Sequence, residues 1–247
     1  MARRRVQAGA GAGAGAGSGE GAGGGGGGGG GGVVKAARRA EVRLPALMPF
    51  GGRELEPDGD YDGVEFRGLD LGGQDGGGAL FMDSAVTGCT VDETRLTRAR
   101  FVDSVLTELR GVGTDLVEAS LRDVEVVDAR LGGVQVHGGV LERVVVRGGK
   151  IDYLNLRKAR LRDVIFEECV LVEPDFGEAT LERVEFRGCV VRGVDFTRVR
   201  MRDVDFREAA ELGIARGIES MAGAVISPVQ LMELAPVFAG QVGVRVA

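Results

Sequence analysis

The chain is poor in the residue types that most catalytic and metal sites require. Its 247 residues include one histidine, three cysteines and no tryptophan. A lone histidine cannot complete a Ser-His-Asp set or a pair of imidazole ligands. The cysteines, at positions 89, 169 and 189, lack the close spacing of a zinc motif. Composition therefore predicts a protein that is not an enzyme and holds no metal or cofactor.

Long apolar runs and export signals are also missing. No stretch is apolar over the length that a membrane helix needs. Arg3 to Arg5 are followed by glycine rather than by the apolar core of a signal peptide. Three arginines are too few to predict nucleic-acid binding, and the net charge of −6 is mild. We expect a cytoplasmic protein that contacts neither membranes nor nucleic acid directly.

Glycine, in contrast, is abundant, with 44 residues. Residues 1–32 are dominated by glycine and alanine and end in an unbroken run from Gly23 to Gly32, so we predict a disordered tail. A second glycine-rich stretch covers residues 72–78, where Gln74 and Gly76 interrupt the pattern described next, and there we predict a bulge or loop. Neither stretch opens a helix or ends in Lys-Ser/Thr, as a phosphate loop would.

Residues 59–210 repeat a pattern every five residues. Of the 30 positions at steps of five from Tyr61 to Phe206, 28 carry a large apolar residue. Neither the 3.6-residue period of a helix nor the two-residue period of a strand sustains this spacing. A smaller residue stands two positions before most of them, so both sets face inward, while charged residues, glycine and threonine fill the positions between.

Several units read Ala-x-(Leu/Phe), namely those at 99–101, 119–121, 129–131, 159–161 and 179–181. This pattern resembles the pentapeptide-repeat family. The resemblance implies an all-β solenoid, a right-handed quadrilateral β-helix in which four units, or about 20 residues, form one coil. Residues one coil apart then stack in columns, so Phe166, Phe186 and Phe206 are expected to stack inside the rod.

The cysteines and the histidine fit this arrangement without any chemical role. Cys89, Cys169 and Cys189 all fall in the small inward set and are predicted to share one column in the core, with Cys169 directly beneath Cys189. Parallel side chains on adjacent strands have poor geometry for a disulfide bond. His137 occupies an outward position and is predicted to lie at the surface.

The flanking segments are predicted to close the two ends, because a solenoid's terminal coils would otherwise expose core residues to water. Residues 33–58 carry apolar side chains between Pro45 and Pro49 and are predicted to form the N-terminal cap. After Phe206 the five-residue phase is lost, since Glu211 falls where a large apolar residue is expected. Residues 211–247 are therefore predicted to form a C-terminal helical cap or dimerisation segment.

A helix start within this C-terminal segment is indicated by Ser227-Pro228-Val229-Gln230, which combines an N-cap serine, an N1 proline and a glutamine three residues after the cap. Pro236 is predicted to kink or split the helix, and Gly240 to end it. The resemblance implies a helical closure of this end, and two alternatives remain, an intramolecular cap and a homodimer contact. The candidate helix face consists of Leu231, Leu234, Ala235 and Phe238.

Acidic residues one coil apart form a candidate interaction stripe on the surface. Arg143 and Arg183 interrupt it, so the alternative is a cross-strand charge ladder that stabilises the wall of the rod. The candidate stripe consists of Asp83, Asp103, Asp123, Asp163 and Asp203, together with Glu125, Glu185 and Asp205 two residues further round.

Two functions remain for such a rod. The first is a non-catalytic scaffold that presents rigid, charge-patterned faces to an unidentified protein partner. The second is implied by the resemblance, since some family members imitate duplex DNA and modulate or protect DNA gyrase and other type II topoisomerases. Imitation of DNA requires a strongly negative rod. The columns Arg110, Arg130, Lys150 and Arg100, Arg160, Arg200 favour the scaffold.

Overall fold

The computed structural model describes residues 34–245, which form a parallel β-solenoid of about nine turns followed by one helix. The prediction that residues 1–32 are disordered lies outside the described residues. A 3₁₀ turn, Ile218–Ser220, precedes the last strand. The strands are β1 (Met48–Pro49), β2 (Asp60–Asp62), β3 (Val64–Arg67), β4 (Leu80–Met82), β5 (Ala85–Thr87), β6 (Arg100–Thr107), β7 (Arg110–Val112), β8 (Ser120–Val127), β9 (Arg130–Gly132), β10 (Val140–Arg147), β11 (Lys150–Asp152), β12 (Arg160–Glu167), β13 (Val170–Val172), β14 (Thr180–Arg187), β15 (Val190–Asp195), β16 (Arg200–Asp205), β17 (Glu211–Arg216) and β18 (Ala224–Val225), and the helix is α1 (Pro228–Gln241).

The solenoid has four sides. The long strands β6, β8, β10, β12 and β14 each cover the first side, turn a corner and cover the second. A separate sheet, from β7 to β17, forms the third side, and single bridges such as Asp115↔Gln135 form the fourth. Neighbouring strands pair residues 20 positions apart, for example Leu141 with Leu161. The predicted β-helix and its 20-residue coil are confirmed.

The corners explain why the period is five. Every fifth residue from Asp58 to Asp203 has a positive φ, so the backbone enters the left-handed region once in each unit. Most of these corner residues are not glycine; Asp163 has a φ of 57° and Tyr153 a φ of 55°. A left-handed residue costs about 1–2 kcal/mol when it carries a side chain. Regular hydrogen bonding between coils holds the chain in this conformation at each corner.

The core is one side chain deep on each side. Phe186 stacks on Phe166, with ring centroids 5.0 Å apart and planes at 11°, and on Phe206, at 4.6 Å and 13°. All three rings are buried, as the column prediction required. Cys169 and Cys189 are also buried and free, and the Cys169 thiol donates to the carbonyl oxygen of Val146 at 3.1 Å. The neighbouring Cys189 thiol, together with burial, raises the pKa of the Cys169 thiol.

The bulge predicted for residues 72–78 is absent, and that prediction was wrong. Asp75 pairs with Arg95 in the same 20-residue register as the rest of the fourth side. The missing side chain of Gly76 leaves room for Leu55, whose Cδ1 atom lies 3.4 Å from where a Cβ on Gly76 would be. The amide of Leu55 donates to Gln74 Oε1 at 2.9 Å. Gln74 and Gly76, which interrupt the repeat pattern, thus provide the contact site for Leu55 of the segment that covers the first coil.

Residues 34–58 divide into two parts. Phe50 and Leu55 lie at the first coil, where the Phe50 ring stacks on Phe66 at 4.5 Å and Leu55 is buried. Residues 34–42, in contrast, lie against the second side of the solenoid, and we name them the strap. Only the later part of the predicted cap therefore covers the end of the rod.

The coil continues beyond Ala210, the boundary predicted from the loss of phase. Val190 pairs with Glu211 and Val191 with Leu212, a step of one residue more than elsewhere. This single added residue moves Leu212 into the inward position that Glu211 occupies in the five-residue series, and Leu212 is buried. Strand β18 then pairs with β16 and extends the second side.

Helix α1 begins as the sequence predicted, with a capping box between Ser227 and Gln230. Gln230 is buried, and its amide nitrogen donates to the carbonyl oxygen of Phe206 at 2.7 Å, which fixes the helix to the last coil. Pro236 does not split the helix, which ends at Gln241 rather than at Gly240. Pro236 is exposed, so the carbonyl group that loses its helical partner lies on the side facing water.

Candidate interaction surface

The eight acidic residues of the predicted stripe lie along the corner between the first and second sides and on the second side itself. Six are half-buried, whereas Asp163 and Glu185 are buried. The structure therefore divides the stripe into a covered part near the C-terminal coils and a more open part near the N-terminal coils.

Asp163 is the centre of the covered part, and its side chain is 0% exposed. Arg183, one coil away, donates from Nε to Oδ1 at 2.6 Å and from a terminal nitrogen to Oδ2 at 3.0 Å. Arg38 of the strap donates from its backbone amide at 3.1 Å and from its guanidinium at 2.9 Å. Burial alone would raise the pKa of Asp163, but these hydrogen bonds outweigh it and hold that pKa well below its usual range.

Other strap residues bind neighbouring acidic groups. The amide of Ala37 donates to Glu185 at 2.6 Å, Arg39 pairs with Glu167 at 3.0 Å, and the amide of Lys35 donates to Asp203 at 3.2 Å. Between these contacts, buried Ala40 packs on two outward apolar residues of the second side, Val145 and Ile165. The C-terminal acidic residues of the stripe therefore bind this chain's own N-terminal segment.

The strap was missed by sequence reasoning, although a signal for it was present. Outward positions on the other coils of the second side are mostly polar, whereas Val145 and Ile165 place apolar side chains where water was expected. Two outward apolar residues one coil apart indicate a surface that another segment covers. The alanines and arginines of residues 36–40, in the order Ala-Ala-Arg-Arg-Ala, supply both the small apolar contacts and the charges that this surface needs.

The open part of the stripe lies in the N-terminal coils. Asp123 forms a two-bond fork with Arg143, at 2.6 and 2.7 Å. The same fork raises the pKa of the Arg143 guanidinium. Burial and the neighbouring carboxylates of Asp123 and Asp83 raise the pKa of Asp103. Within residues 34–245, neither Asp83 nor Asp103 forms an ion pair, so they make a short acidic stretch that the charges of Arg122 and Arg143 offset only in part.

Charge ladders of the kind expected for a stabilised wall also occur elsewhere. Arg157 pairs with Asp175 at 3.1 Å and with Glu178 at 3.2 Å, and Arg198 reaches the same Glu178 at 2.6 Å. These pairs are half exposed, and each contributes about 0–1 kcal/mol. These ion pairs contribute little to stability and mainly determine which charges face outward.

The predicted apolar face of α1 splits into two. Leu234 is buried against the last coil and Phe238 packs partly on it, whereas Leu231 and Ala235 are exposed. Further apolar side chains point outward, with Met232 at 79% exposure and Val229 at 65%. The outer face of α1, which we define as Val229, Leu231, Met232, Ala235 and Pro236, is therefore apolar and uncovered.

Potential catalytic groups are sparse over residues 34–245. Within that range, no group of three or more His, Cys, Asp or Glu side chains is arranged to hold a metal ion. His137 is half-buried and contributes a backbone carbonyl to the amide of Glu118 at 2.9 Å. No helix in the described part of the chain combines the length and apolar character of a membrane span.

Comparison with known proteins gives a family match and several structural likenesses. Residues 150–213 match the family described as a pentapeptide repeat region. HetL from the cyanobacterium Nostoc sp. strain PCC 7120, a pentapeptide repeat protein involved in heterocyst differentiation regulation, is 16% identical, with a TM-score of 0.30 over 71% of this chain and 92% of that one.

Forms of QnrB1, a plasmid-mediated fluoroquinolone resistance protein, are also similar. A trypsin-treated variant is 13% identical, with a TM-score of 0.34 over 83% of this chain and 99% of its own. The full-length form is 15% identical, with a TM-score of 0.29 over 75% of this chain and 100% of its own.

Identities and scores this low carry no argument about function, and a comparison with curated proteins gives no match. The left-handed corner recurs every five residues from Asp58 to Asp203, so the same unit extends well before residues 150–213. Residues 150–213 therefore match a pentapeptide repeat region, and the coils before them are built from the same five-residue unit.

Proposed function

We propose that this protein is a non-catalytic scaffold that pairs with a second copy through its C-terminal helix and presents the sides of its rod to protein partners. The observation that carries the proposal is the outer face of α1. It is a contiguous apolar surface at one end of a rod whose sides are charged. Exposed apolar patches bounded by polar residues mark protein interaction sites.

A second copy fits this surface better than a charged partner does. Glu233 is the only charged residue in the 14 residues of α1, so two copies of the helix can approach each other without facing rows of like charge. A twofold axis would place each outer face on its own equivalent, as in most homodimers. The sides of each rod that the strap leaves uncovered would remain available for other proteins.

We expect the Val229→Glu/Met232→Glu variant to be monomeric and the natural chain to be dimeric, because two glutamates from each copy would face each other across the interface. Light scattering coupled to size-exclusion chromatography measures the mass directly. Tyr153→Glu is the matched control, since Tyr153 is 58% exposed and lies on the rod away from α1. A natural chain that elutes as a monomer at 100 μM would refute pairing through α1.

Imitation of DNA is the second candidate, and the acidic stretch of Asp83 and Asp103 favours it. The rest of the stripe supports it less, because Arg143 and Arg183 neutralise their neighbours and the strap covers Asp163 and Glu185. A topoisomerase partner such as DNA gyrase would then meet a negative surface only two carboxylates long.

A supercoiling assay separates the two candidates. The scaffold proposal predicts that micromolar concentrations of the natural chain leave DNA gyrase activity unchanged, both with and without a quinolone. Inhibition or protection that disappears in Asp83→Asn/Asp103→Asn, and that survives in Asp175→Asn on the fourth side, would establish imitation of DNA in its place.

A further inference from the structure

A concave, positively charged surface lies on the third side of the solenoid, away from the strap and from α1. It encloses about 730 Å³. Arg110, Arg130 and Lys150 line it from three successive coils, and Gly111, Leu131 and Gly132 form its floor. Pairing through α1 does not use this surface.

The concavity follows from an exchange of side-chain size in one repeat unit. Leu109 fills the small inward position and is buried, and Gly111 replaces the large apolar residue that follows it. A Cβ on Gly111 would lie 2.7 Å from the carbonyl carbon of Val91 and 2.9 Å from the amide nitrogen of Asp92. Strand β7 therefore lies too close to its neighbour for any side chain, and the surface is depressed there.

The three cations stand in an unfavourable arrangement. Arg110 is the register partner of Arg130, and Arg130 is the partner of Lys150. Like charges directly opposite on neighbouring strands are destabilising. From Asp123 to Asp203, the corner between the first and second sides avoids this by alternating sign, with Arg143 bound to Asp123 and Arg183 bound to Asp163.

Two of these cations lack a carboxylate partner. Within residues 34–245, Lys150 pairs with Asp152 at 2.8 Å, whereas Arg110 and Arg130 form no ion pair. Nearby Asp92 already accepts a hydrogen bond from the amide of Val112 at 2.7 Å. Asp92 and Asp152 in the lining offset only part of the charge of the three cations, so a bound anion would relieve the repulsion between Arg110 and Arg130.

We propose that this concavity binds a small phosphorylated compound, with Arg110 and Arg130 gripping one phosphate group. Adjacent strands are about 4.8 Å apart, so one tetrahedral phosphate can accept hydrogen bonds from both guanidinium groups. Guanidinium groups bind phosphate through paired hydrogen bonds in a fixed geometry. Lys150 is the cation for a second phosphate, one strand further along.

The floor and Asp152 indicate that the ligand also has an organic part. Gly111, Leu131 and Gly132 offer a partly apolar surface beside the cations. Asp152 also lines the surface, and its side chain, which is 31% exposed and paired with Lys150, can accept from a hydroxyl or amino group of the ligand. A nucleoside diphosphate combines these features.

Titration calorimetry with inorganic pyrophosphate and with ADP at low ionic strength tests the proposal. We expect pyrophosphate to bind with a dissociation constant below 1 mM, and ADP to bind more tightly because it also contacts the floor. Arg110→Gln/Arg130→Gln should weaken both at least tenfold. Failure of pyrophosphate to bind the natural chain at 5 mM would overturn the site.

A matched control removes the same charge elsewhere. Arg160 and Arg200 lie in a second basic depression on the first side, where Thr180 stands between them in register, so they are not on adjacent strands as Arg110 and Arg130 are. Arg160→Gln/Arg200→Gln should keep pyrophosphate affinity within twofold, and an equal loss in both double variants would show that only net charge matters. Without ligand, the thermal unfolding temperature of Arg110→Gln/Arg130→Gln should equal or exceed that of the natural chain. A large fall in this temperature would instead assign the two arginines a structural role.

Discussion

Gly149→Ala is expected to lower the free energy of unfolding by about 4 kcal/mol, enough to leave much of the protein unfolded at 37 °C. Gly149 has a φ of 74°, and a Cβ there would lie 2.1 Å from the carbonyl oxygen of Ala129 and 2.7 Å from its amide nitrogen. Both atoms belong to the backbone of the adjacent coil, so no side-chain rotation relieves the overlap. Urea denaturation followed by circular dichroism measures the change.

The repeat pattern alone would instead predict that Gly149→Ala is tolerated. Position 149 belongs to the small inward set, in which Ala129 stands one coil before it, so the pattern alone favours alanine. Gly133→Ala is the matched control, because Gly133 has a φ of 62° and its nearest neighbouring atom is 3.9 Å from a built Cβ. Gly133→Ala should lower the free energy of unfolding by only about 1 kcal/mol, the cost of placing a side chain in the left-handed conformation. Equal effects at both sites would show that the backbone at Gly149 differs from the one described.

Asp163→Asn is expected to lower the free energy of unfolding by about 3 kcal/mol and to detach the strap from the second side. Removing one partner of a buried ion pair typically costs about 3–5 kcal/mol because the other charge is left uncompensated. Arg183 is 17% exposed and Arg38 is 59% exposed, so water recovers part of that cost. Release of the strap should be seen as faster trypsin cleavage after Arg38 and Arg39 under native conditions.

Asp203→Asn is the control for this variant, since Asp203 is half-buried and accepts only the amide of Lys35, at 3.2 Å. It should cost less than about 1 kcal/mol and leave the cleavage rate after Arg38 within twofold. Unchanged trypsin sensitivity in Asp163→Asn would show that Arg38 does not hold the strap in place.

The same carboxylate makes stability depend on acid. Because the pKa of Asp163 is lower in the folded than in the unfolded protein, its contribution is fully present above the unfolded carboxyl pKa of about 4. That contribution is lost as the pH falls below this value towards the folded pKa. The free energy of unfolding should therefore fall more steeply below pH 4 in the natural chain than in Asp163→Asn.

The regular part of this fold could be predicted from sequence because its determinants are local. Each five-residue unit carries its own inward residues and corner, so the period predicts the coil, and the coil predicts columns such as Phe166, Phe186 and Phe206. The start of α1 could be predicted for the same reason, since the residues of its capping box all lie within Ser227–Gln230.

The errors occurred where distant segments meet. The strap joins Arg38 to Asp163 and Lys35 to Asp203, 125 and 168 positions apart, and no periodicity encodes such contacts. We predicted a bulge or loop at Gly76 because the side chain that packs there, that of Leu55, belongs to a different segment. The single residue added before Leu212 hid a further coil for a similar reason, because the five-residue count cannot tell a phase shift from the end of the repeat.

The strap has a consequence for how the rod loses its structure. In a solenoid each turn touches only the next, so terminal turns are free to peel away one after another while the remainder survives. Residues 34–42 run lengthwise across several turns, and their two ends are fixed to turns that are far apart in sequence. Peeling of the C-terminal turns must therefore break the attachment of the N-terminal segment as well, and this coupling favours a single all-or-none collapse over gradual fraying.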